Sequence, residues 1–324
     1  IIVDDIVDPN HPELAVNSDG TGGSRVIHYN WFQHNPAVRG EPVETYDYTL
    51  NSDDAHGTHV AGTVAGNTQG WARDANIYNI NYSSVGQPTP YLSVDIFEYI
   101  LEFHKAKPIN PATGYKNPTI VNNSWGIKFA SQRHQETDPD RVEKIYYRGN
   151  FITGPFTDEQ LESYGCMDFD SYGGLYGHGQ VYTGAFLNGV REAMDACYDA
   201  GIVITASAGN NREKIVNFGD VNAVDRDNAY AGWARDPRDG VFKYQVYYQW
   251  GQGNSINNGS AQPITVGATN SAVTEAKRSF SACGPCVEVY APGTNIMSAY
   301  RNSGVNDPRN SNFKMKKLNG TSMS

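Results

Sequence analysis

Three polar side chains, an acid, an imidazole and a hydroxyl, stand at widely separated positions beside apolar or small residues. Asp4 ends the apolar run Ile1-Ile2-Val3, His56 begins the segment HGTHVAG, and Ser322 lies in the segment NGTSMS. A serine hydroxyl becomes a nucleophile when an imidazole takes its proton, and a carboxylate holds that imidazole in one tautomer. These residue types predict nucleophilic attack on an acyl carbon, provided that the fold brings the three side chains together.

Attack on an acyl carbon also needs hydrogen-bond donors for the negative charge that develops on the carbonyl oxygen. Asn210 follows the apolar, β-branched run 202–206 and the glycine at position 209. A Gly-Asn pair is by itself a common turn, and a turn here would also end the strand. A turn at this point and a side-chain amide that is free to donate are compatible interpretations of Asn210.

The segments around these residues resemble the motifs of the subtilases, the subtilisin-like serine peptidases. Residues 1–14 are similar to the family's apolar strand, its acid and its His-Pro-Glu-Leu sequence, and residues 56–62 are similar to its histidine motif. Residues 319–324 match its Gly-Thr-Ser-Met motif, with Ala-Pro-Gly at 291–293 about thirty residues upstream, as in the family. The resemblance implies a serine endopeptidase with Asp4, His56 and Ser322 as the catalytic triad and Asn210 as the oxyanion donor.

Two residues depart from the family pattern. Asp5 stands where the family usually has Thr or Ser, and Ile6 stands where it usually has Gly. If that glycine needs a positive φ, Ile6 would be strained, which leaves open an alternative: a subtilase fold that has lost catalysis and serves as a binding or structural module. Asp4-Asp5 also resembles the kexin-like branch, which cuts after basic pairs, and we therefore predict that Asp5 makes a substrate subsite acidic.

The resemblance further implies which segments line the substrate. Ser124, Trp125 and Gly126, with the backbone of Ala208 and Gly209, match the substrate-lining segments of the family. An extended peptide would pair with the edge near residues 124–126 by β-augmentation. Burial of Trp125 in the core is the competing interpretation.

Strand and helix patterns alternate along the chain, which is typical of a parallel sheet covered by helices on both faces. Apolar residues at helical spacing indicate helices over 57–65, 92–106 and 186–197. Short apolar runs indicate strands over 1–4, 75–82, 119–124, 202–206, 264–268 and 287–291. We predict an α/β fold with three layers and a mostly parallel sheet.

Two stretches, at about 127–180 and 212–260, lack clear periodicity. They are interpreted either as surface loops with a small hairpin or as walls of a substrate cleft, and they interrupt a single peptidase domain spanning 1–324. The chain opens directly in an apolar strand and stops two residues after Ser322. We therefore expect the domain to be incomplete at both ends.

Composition narrows the range of partners. The formal net charge is −10 and no basic block occurs, which argues against nucleic acid as the main partner. The mean hydropathy is −0.54, and no apolar stretch approaches the roughly 20 residues of a membrane-spanning helix. The family resemblance implies protein or peptide substrates, a propeptide as a further partner, and a secreted, extracellular location.

Other chemistries fit the sequence less well. His56 and His59 lack the spacing and the glutamate of a zinc-peptidase motif, and the triad chemistry needs no cofactor. Cys283-Gly-Pro-Cys286 has thioredoxin-like spacing but runs into a strand pattern, so a local disulfide or two free thiols is the simpler interpretation. Many subtilases bind structural Ca²⁺, and two oxygen-rich stretches, 224–228 and 236–240, are candidate sites without a defined loop.

Overall fold

The computed structural model describes residues 1–38, 40, 45–81, 92–125, 130–132, 144–147, 150–154, 157, 160, 174–176, 185–210, 230–235, 242–247, 263–272, 274–284 and 287–324. The helices are α1 Asn35–Val38, α2 His56–Ala65, α3 Leu92–Ala106 and α4 Ala185–Asp199. The strands are β1 Ile2–Asp4, β2 Val26–Ile27, β3 Ile77–Asn81, β4 Ile120–Asn123, β5 Ala130–Gln132, β6 Lys144–Tyr147, β7 Asn150–Thr153, β8 Gly174–Tyr176, β9 Val203–Ser207, β10 Tyr230–Arg235, β11 Phe242–Tyr247, β12 Ile264–Thr269, β13 Val289–Pro292, β14 Ile296–Tyr300, β15 Val305–Asn306 and β16 Lys314–Leu318. The described residues also form 3₁₀ turns at Pro12–Leu14, Trp31–His34 and Thr321–Met323.

Seven of these strands form one sheet in the order β13-β12-β9-β4-β1-β3-β2. Each neighbouring pair is parallel. Strand β1 lies between β3 and β4, so the chain runs to one side of β1 and then to the other. In open parallel sheets, ligands bind beyond the carboxyl ends of the strands at such a reversal. Asp4, the last residue of β1, stands at that point.

Helices cover this sheet on both faces, which gives three layers. One face carries α3 and α4, which pack against each other; Val3, Val121 and Ile204 of the sheet are buried with residues of these two helices. On the other face, α2 buries Val60 and Ala65 against Ile2, Ile77 and Met323. The prediction of a three-layer α/β fold with a mostly parallel sheet is confirmed.

On the α2 side, the described helix lies over the part of the sheet near β1 and β3. Side chains alternate between the two faces of a strand, and the alternate positions of β4, β9, β12 and β13 point to the α2 side. Apolar residues there are exposed among the described part of the chain: Ile120, Val203, Ile264 and Val289.

An antiparallel sheet of order β14-β16-β15 packs on the outer side of α2. Gly62 makes this approach possible, because a Cβ at that position would lie 3.0 Å from Ala299 Cβ and would collide with Ser298 Oγ. The Ser298 hydroxyl donates to the carbonyl oxygen of His59 at 2.8 Å. The sheet therefore packs tightly against the helix that carries His56.

The two aperiodic stretches contribute strands of their own. Strands β6 and β7 of the first stretch and β10 and β11 of the second form one antiparallel sheet of order β11-β10-β6-β7. The pairing of β10 with β6 joins the two stretches directly. Surface loops with a small hairpin were one of the two interpretations of these stretches. The described segments contain hairpin strands, and those of both stretches belong to one sheet. No described helix is long and apolar enough to cross a membrane.

Candidate active site

Asp4 and His56 are joined by a hydrogen bond at the carboxyl end of β1. Nδ1 of His56 donates to Oδ1 of Asp4 at 2.8 Å. Asp4 is fully buried, whereas 38% of the His56 side chain is exposed. A neutral imidazole that donates from Nδ1 carries its free lone pair on Nε2. The pair is therefore a buried acid that orients an accessible base.

The charges around His56 favour its protonated form. Burial lowers the pKa of His56, but the hydrogen bond and charge of Asp4 and the charge of Asp5 outweigh that effect and raise the pKa above 6.5. The second carboxylate oxygen of Asp4, Oδ2, is buried and has no hydrogen-bond partner among the described residues. The other oxygen, Oδ1, accepts from the backbone N–H of Asp5 at 2.9 Å as well as from His56.

Asp5 directs its carboxylate at the start of α2. Oδ2 accepts from the N–H groups of Ala55 at 3.1 Å and His56 at 3.0 Å, and Oδ1 accepts from Gly57 N–H at 2.5 Å. Burial and the neighbouring Asp4 raise the pKa of Asp5 to about 6, against the three hydrogen bonds, which lower it. Asp5 thus contacts the helix that carries the base.

Ile6, the second departure from the family pattern, carries no backbone strain. Among the described residues other than glycine, a positive φ occurs only at Glu275 and Asn295. Ile6 is 1% exposed and lies in the protein interior. The strain considered from the sequence is therefore absent, and the isoleucine contributes buried apolar surface.

Ser322 lies in the 3₁₀ turn Thr321–Met323, which contacts α2, β9 and β12. Its hydroxyl donates to the carbonyl oxygen of Ser124 at 3.0 Å, and the hydroxyl of Ser124 donates back to the carbonyl oxygen of Ser322 at 3.0 Å. Among the described residues, Ser322 makes no hydrogen bond with His56. The fold thus brings the turn to the helix, with the serine hydroxyl resting on Ser124.

The side chain of Asn210 is held beside Ser322 by Thr321. The N–H and the hydroxyl of Thr321 both donate to Oδ1 of Asn210, at 2.9 and 3.0 Å. Two donors fix this oxygen, so the amide Nδ2 points away from Thr321 and is available to donate. Asn210 is exposed, and it therefore presents a fixed donor at the surface of the site.

A sequence model described as "Subtilase family" matches residues 1–324. The chain belongs to the subtilase family. Two curated relatives are similar to it: alkaline serine exoprotease A of Vibrio alginolyticus, 23% identical over 321 residues, and subtilisin-like serine protease pepC of Aspergillus niger, 24% identical over 288 residues. These alignments cover 97% and 89% of this chain but only 38% and 35% of the relatives, so the chain spans less than half of their length.

Solved structures are also similar at low identity. A cold-adapted subtilisin-like serine proteinase is 17% identical, with a TM-score of 0.42, over 99% of this chain and 70% of that one. The nisin leader peptidase of Lactococcus lactis is 14% identical, with a TM-score of 0.49, over 100% of this chain and 72% of that one.

The residues predicted to line the substrate are described in part. Trp125 is half-buried and packs against the core under α3 and α4, and Gly126 lies outside the described residues. The N–H of Ala208 donates to Val266 O at 2.9 Å. The N–H of Gly209 donates to the Thr321 hydroxyl at 3.1 Å, and its carbonyl oxygen accepts from Ala282 N–H at 2.9 Å. Contact of these segments with substrate stays a prediction.

Three residues of the subtilase site were not predicted from the sequence. Thr321 holds Asn210 by two hydrogen bonds. Its position next to Ser322 in the sequence could have indicated that it belongs to the site. Asn79, fully buried in β3, accepts from Val7 N–H at 3.1 Å and donates to Asp5 O at 3.2 Å; a buried asparagine in an apolar strand was the clue. Arg301 donates to the carbonyl oxygens of residues 51 and 54, just before His56, and no local pattern indicates this.

His59 is structural in this subtilase, in agreement with its interpretation as a packing or hydrogen-bonding residue. Its Nε2 donates to the carbonyl oxygens of Ile296 and Lys316, at 3.0 and 3.1 Å. Burial lowers the pKa of His59 to about 4, so the ring is neutral near pH 7. In the described part of the chain, no three His, Cys, Asp or Glu side chains are arranged to hold a metal.

Two further sequence features lie partly or wholly outside the described residues. Cys283 carries a free thiol, whereas Cys286 lies outside the described residues. The chain then continues into strand β13, whereas a thioredoxin-like redox site needs a helix that begins at the two cysteines. The stretches 224–228 and 236–240, considered for calcium, are also outside the described residues.

Proposed function

We propose that this chain is the catalytic domain of a serine endopeptidase that uses Asp4, His56 and Ser322 as its triad and Asn210 as an oxyanion donor. The observation that carries the proposal is the 2.8 Å hydrogen bond from Nδ1 of His56 to the buried carboxylate of Asp4. A buried acid that fixes the tautomer of an accessible imidazole is the arrangement that serine catalysis needs. Membership of the subtilase family supports the same assignment.

The reaction begins when Ser322 leaves its hydrogen bond to Ser124 and turns its hydroxyl toward Nε2 of His56. His56 takes the hydroxyl proton as Oγ attacks the scissile carbonyl carbon, and the imidazolium is stabilised by Asp4. His56 then gives the proton to the leaving amine, and an acyl-enzyme remains on Ser322. Water, activated by the same imidazole, hydrolyses that ester. No step uses a cofactor.

Negative charge on the tetrahedral intermediate is stabilised by Nδ2 of Asn210 and the backbone N–H of Ser322. Because Thr321 fixes Oδ1 of Asn210 with two hydrogen bonds, the amide donor needs little reorganisation during the reaction. Preorganised donors of this kind account for a large share of catalysis in acyl transfer. The Thr321 contacts are therefore part of the proposed oxyanion site.

Protein or peptide chains are the proposed substrates, bound in extended form along Ser124, Trp125, Gly126, Ala208 and Gly209. A propeptide, an extracellular location and structural calcium follow from the family resemblance and belong to the same proposal. The acidic subsite predicted at Asp5 is the competing role for this carboxylate, whose oxygens accept from three N–H groups at the start of α2. As a subsite, Asp5 would favour Lys or Arg before the cleavage site. The test compares kcat/KM for a Lys peptide with kcat/KM for a Leu peptide, in the wild type and in Asp5→Asn. A substrate subsite at Asp5 requires the Lys-to-Leu ratio to be lower in the variant.

A catalytically inactive subtilase-fold module is the second candidate. The resting contact of the Ser322 hydroxyl with Ser124 O at 3.0 Å favours it, because the serine is not hydrogen bonded to its base. In an enzyme this contact breaks during catalysis, whereas in an inactive module it persists. The two candidates therefore differ in the reactivity of one hydroxyl.

Labelling with a fluorophosphonate separates the two candidates. The full-length protein is treated with the reagent as wild type, as Ser322→Ala and as Ser324→Ala, which removes a neighbouring hydroxyl of the same segment. We expect labelling and casein hydrolysis in the wild type and in Ser324→Ala, and neither in Ser322→Ala. An unlabelled, correctly folded wild type would exclude the peptidase and favour the binding module.

A further inference from the structure

Helix α2, which carries His56, has no cap of its own. The first N–H groups of an α-helix lack partners within the helix, and a side chain at the N-cap position usually accepts from them. The N-cap residue here is Ala55, which has no side-chain acceptor and makes no capping hydrogen bond. The helix start is nevertheless in the interior, since Ala55 is 3% exposed. The N–H groups need an acceptor from elsewhere in the chain.

Asp5, fifty residues earlier, supplies that acceptor. Its two carboxylate oxygens receive the N–H groups of Ala55, His56 and Gly57 at 3.1, 3.0 and 2.5 Å. A carboxylate offers about four acceptor positions, and three of them are used on the helix. Its negative charge also complements the positive end of the helix dipole. The carboxylate thus joins β1 to α2.

The attachment of Asp5 is fixed on both sides. The side chain of Asn79 donates to the carbonyl oxygens of Ile2 and Asp5 at 3.1 and 3.2 Å, which holds the chain just beyond β1. On the helix side, Gly57 leaves no room between the two elements: a Cβ there would lie 2.6 Å from Oδ1 of Asp5 and 3.1 Å from Cβ of Asp4. The distance between β1 and α2 is therefore set at the residues that carry the acid and the base.

We propose that Asp5 is a positioning residue, whose carboxylate clamps the start of α2 onto the end of β1 and so keeps Nδ1 of His56 on Oδ1 of Asp4. The proposal rests on the serine peptidase function and deepens it, because Asp5 acts through His56 and does not touch the reacting atoms. It differs from the acidic-subsite role, in which Asp5 would act on the substrate. Losing the clamp slows turnover, whereas losing a subsite changes substrate choice.

The charge of Asp5 provides a second, independent readout. Asp4 and Asp5 are the two charged groups that raise the pKa of His56, and His59, one turn further along α2, is neutral near pH 7 because burial lowers its pKa to about 4. Replacing Asp5 by a neutral residue removes one of the two negative charges. The pKa of His56 then falls, and the acid limb of the activity profile moves to lower pH.

The test compares the full-length protein as wild type, Asp5→Asn, Asp5→Ala and Asp53→Asn. Asn retains an acceptor without the charge, Ala retains neither, and Asp53 is an exposed aspartate in the loop before α2 that serves as the matched control. We expect kcat to fall on the order of 10- to 100-fold in Asp5→Ala, as for a slightly misplaced catalytic group, and less in Asp5→Asn. KM and the Lys-to-Leu preference stay within about twofold, and Asp53→Asn behaves as wild type.

Proton NMR of the histidine Nδ1–H groups follows the clamp without relying on activity. In the wild type, the His56 proton shared with Asp4 gives a downfield resonance, assigned by its loss in His56→Gln, and in Asp5→Ala it weakens or moves. Unchanged kcat and an unchanged resonance in a folded Asp5→Ala protein would overturn the proposal, and so would a collapse of the Lys preference at constant kcat. If the wild type neither labels nor hydrolyses, the peptidase function fails, and the resonance alone still tests the clamp.

Discussion

Ser322 and Ser124 hold each other through two reciprocal hydrogen bonds, each from the hydroxyl of one residue to the carbonyl oxygen of the other and each 3.0 Å long. The Ser124 hydroxyl also accepts from the amide of Asn122 at 2.9 Å. Strand β4 and the turn at Thr321–Met323 are thereby joined beside the site. The pair holds the Ser322 hydroxyl on the carbonyl oxygen of Ser124.

Ser124→Ala removes one of these two bonds and leaves the other, because Ser322 donates to a backbone oxygen that alanine retains. Ser124 is 5% exposed, so the variant leaves Ser322 O and the Asn122 amide without a buried partner. We expect the free energy of unfolding to fall by about 1–3 kcal/mol, measured by urea denaturation, and fluorophosphonate labelling to slow by less than roughly tenfold. Ser52→Ala, at an exposed serine, is the control. Complete loss of labelling at unchanged stability would give the Ser124 hydroxyl a direct catalytic role.

Asn210→Ala removes the proposed oxyanion donor while the triad remains. We expect kcat to fall by roughly 10²- to 10³-fold with little change in KM, the cost measured for one such donor in subtilisin, a member of the same family. Thr321→Val removes the hydroxyl that donates to Oδ1 of Asn210 at 3.0 Å and accepts from Gly209 N–H at 3.1 Å. A smaller loss of kcat is expected from it, because the N–H of Thr321 still donates to Asn210. Steady-state kinetics on a peptide substrate measures both. Equal kcat in wild type and Asn210→Ala would remove Asn210 from the oxyanion site.

The parts of the fold that repeat a simple apolar period were predictable from the sequence. Helix α3 was predicted at 92–106 and is observed over the same residues, because apolar residues that recur at helical spacing are buried: Ile96, Tyr99, Ile100 and Phe103. Strand β16 was missed. Its sequence is KMKKL, and only Met315 in it is buried, so most of the strand resembles surface. Its place depends on pairing with β14, which no local pattern encodes.

Within the candidate site, too, local motifs indicate some residues, whereas other contacts depend on the tertiary structure. The sequence indicates Asp4, His56, Asn210 and Ser322 because each stands in a short motif at a strand or helix end, and their catalytic roles stay a prediction. The clamp at Asp5 was not predicted, although the sequence carries half of the signal: Ala55 at the helix start cannot cap. Which residue caps instead depends on the spacing between β1 and α2, and this is a tertiary property. A family comparison favoured a substrate contact for Asp5, whereas the contacts favour the helix.

Gly57→Ala tests how tightly β1 and α2 are spaced. The added methyl group would lie 2.6 Å from Oδ1 of Asp5 and 3.1 Å from Cβ of Asp4, so the two elements must separate where Asp4 and His56 meet. We expect a loss of about 1–3 kcal/mol in unfolding free energy from overpacking, and a fall in kcat of roughly tenfold or more in the folded protein.

Gly62→Ala is the matched control, because it crowds the same helix on the side of Ser298 and Ala299, away from the triad. A comparable loss of stability is expected, with kcat within about twofold of wild type. Denaturation curves and active-site titration, which corrects kcat for the fraction of folded protein, distinguish the two effects. If both variants lost kcat equally, spacing at Gly57 would have no special importance.

His59 makes the stability of the domain depend on pH in a defined window. In the folded protein burial lowers its pKa to about 4, against 6.5 for a free histidine, so between these values the unfolded chain binds more protons. Stability therefore falls as the pH drops from 6.5 toward 4, by on the order of 3 kcal/mol from this group alone. His59→Gln keeps a side-chain N–H that can donate to Ile296 O or Lys316 O and removes the titration. We expect it to cost stability at pH 8 through lost packing but to flatten the curve below pH 6.5. Urea denaturation of both proteins at pH 8, 6 and 4.5 measures this difference; parallel curves would show that His59 does not set the acid sensitivity.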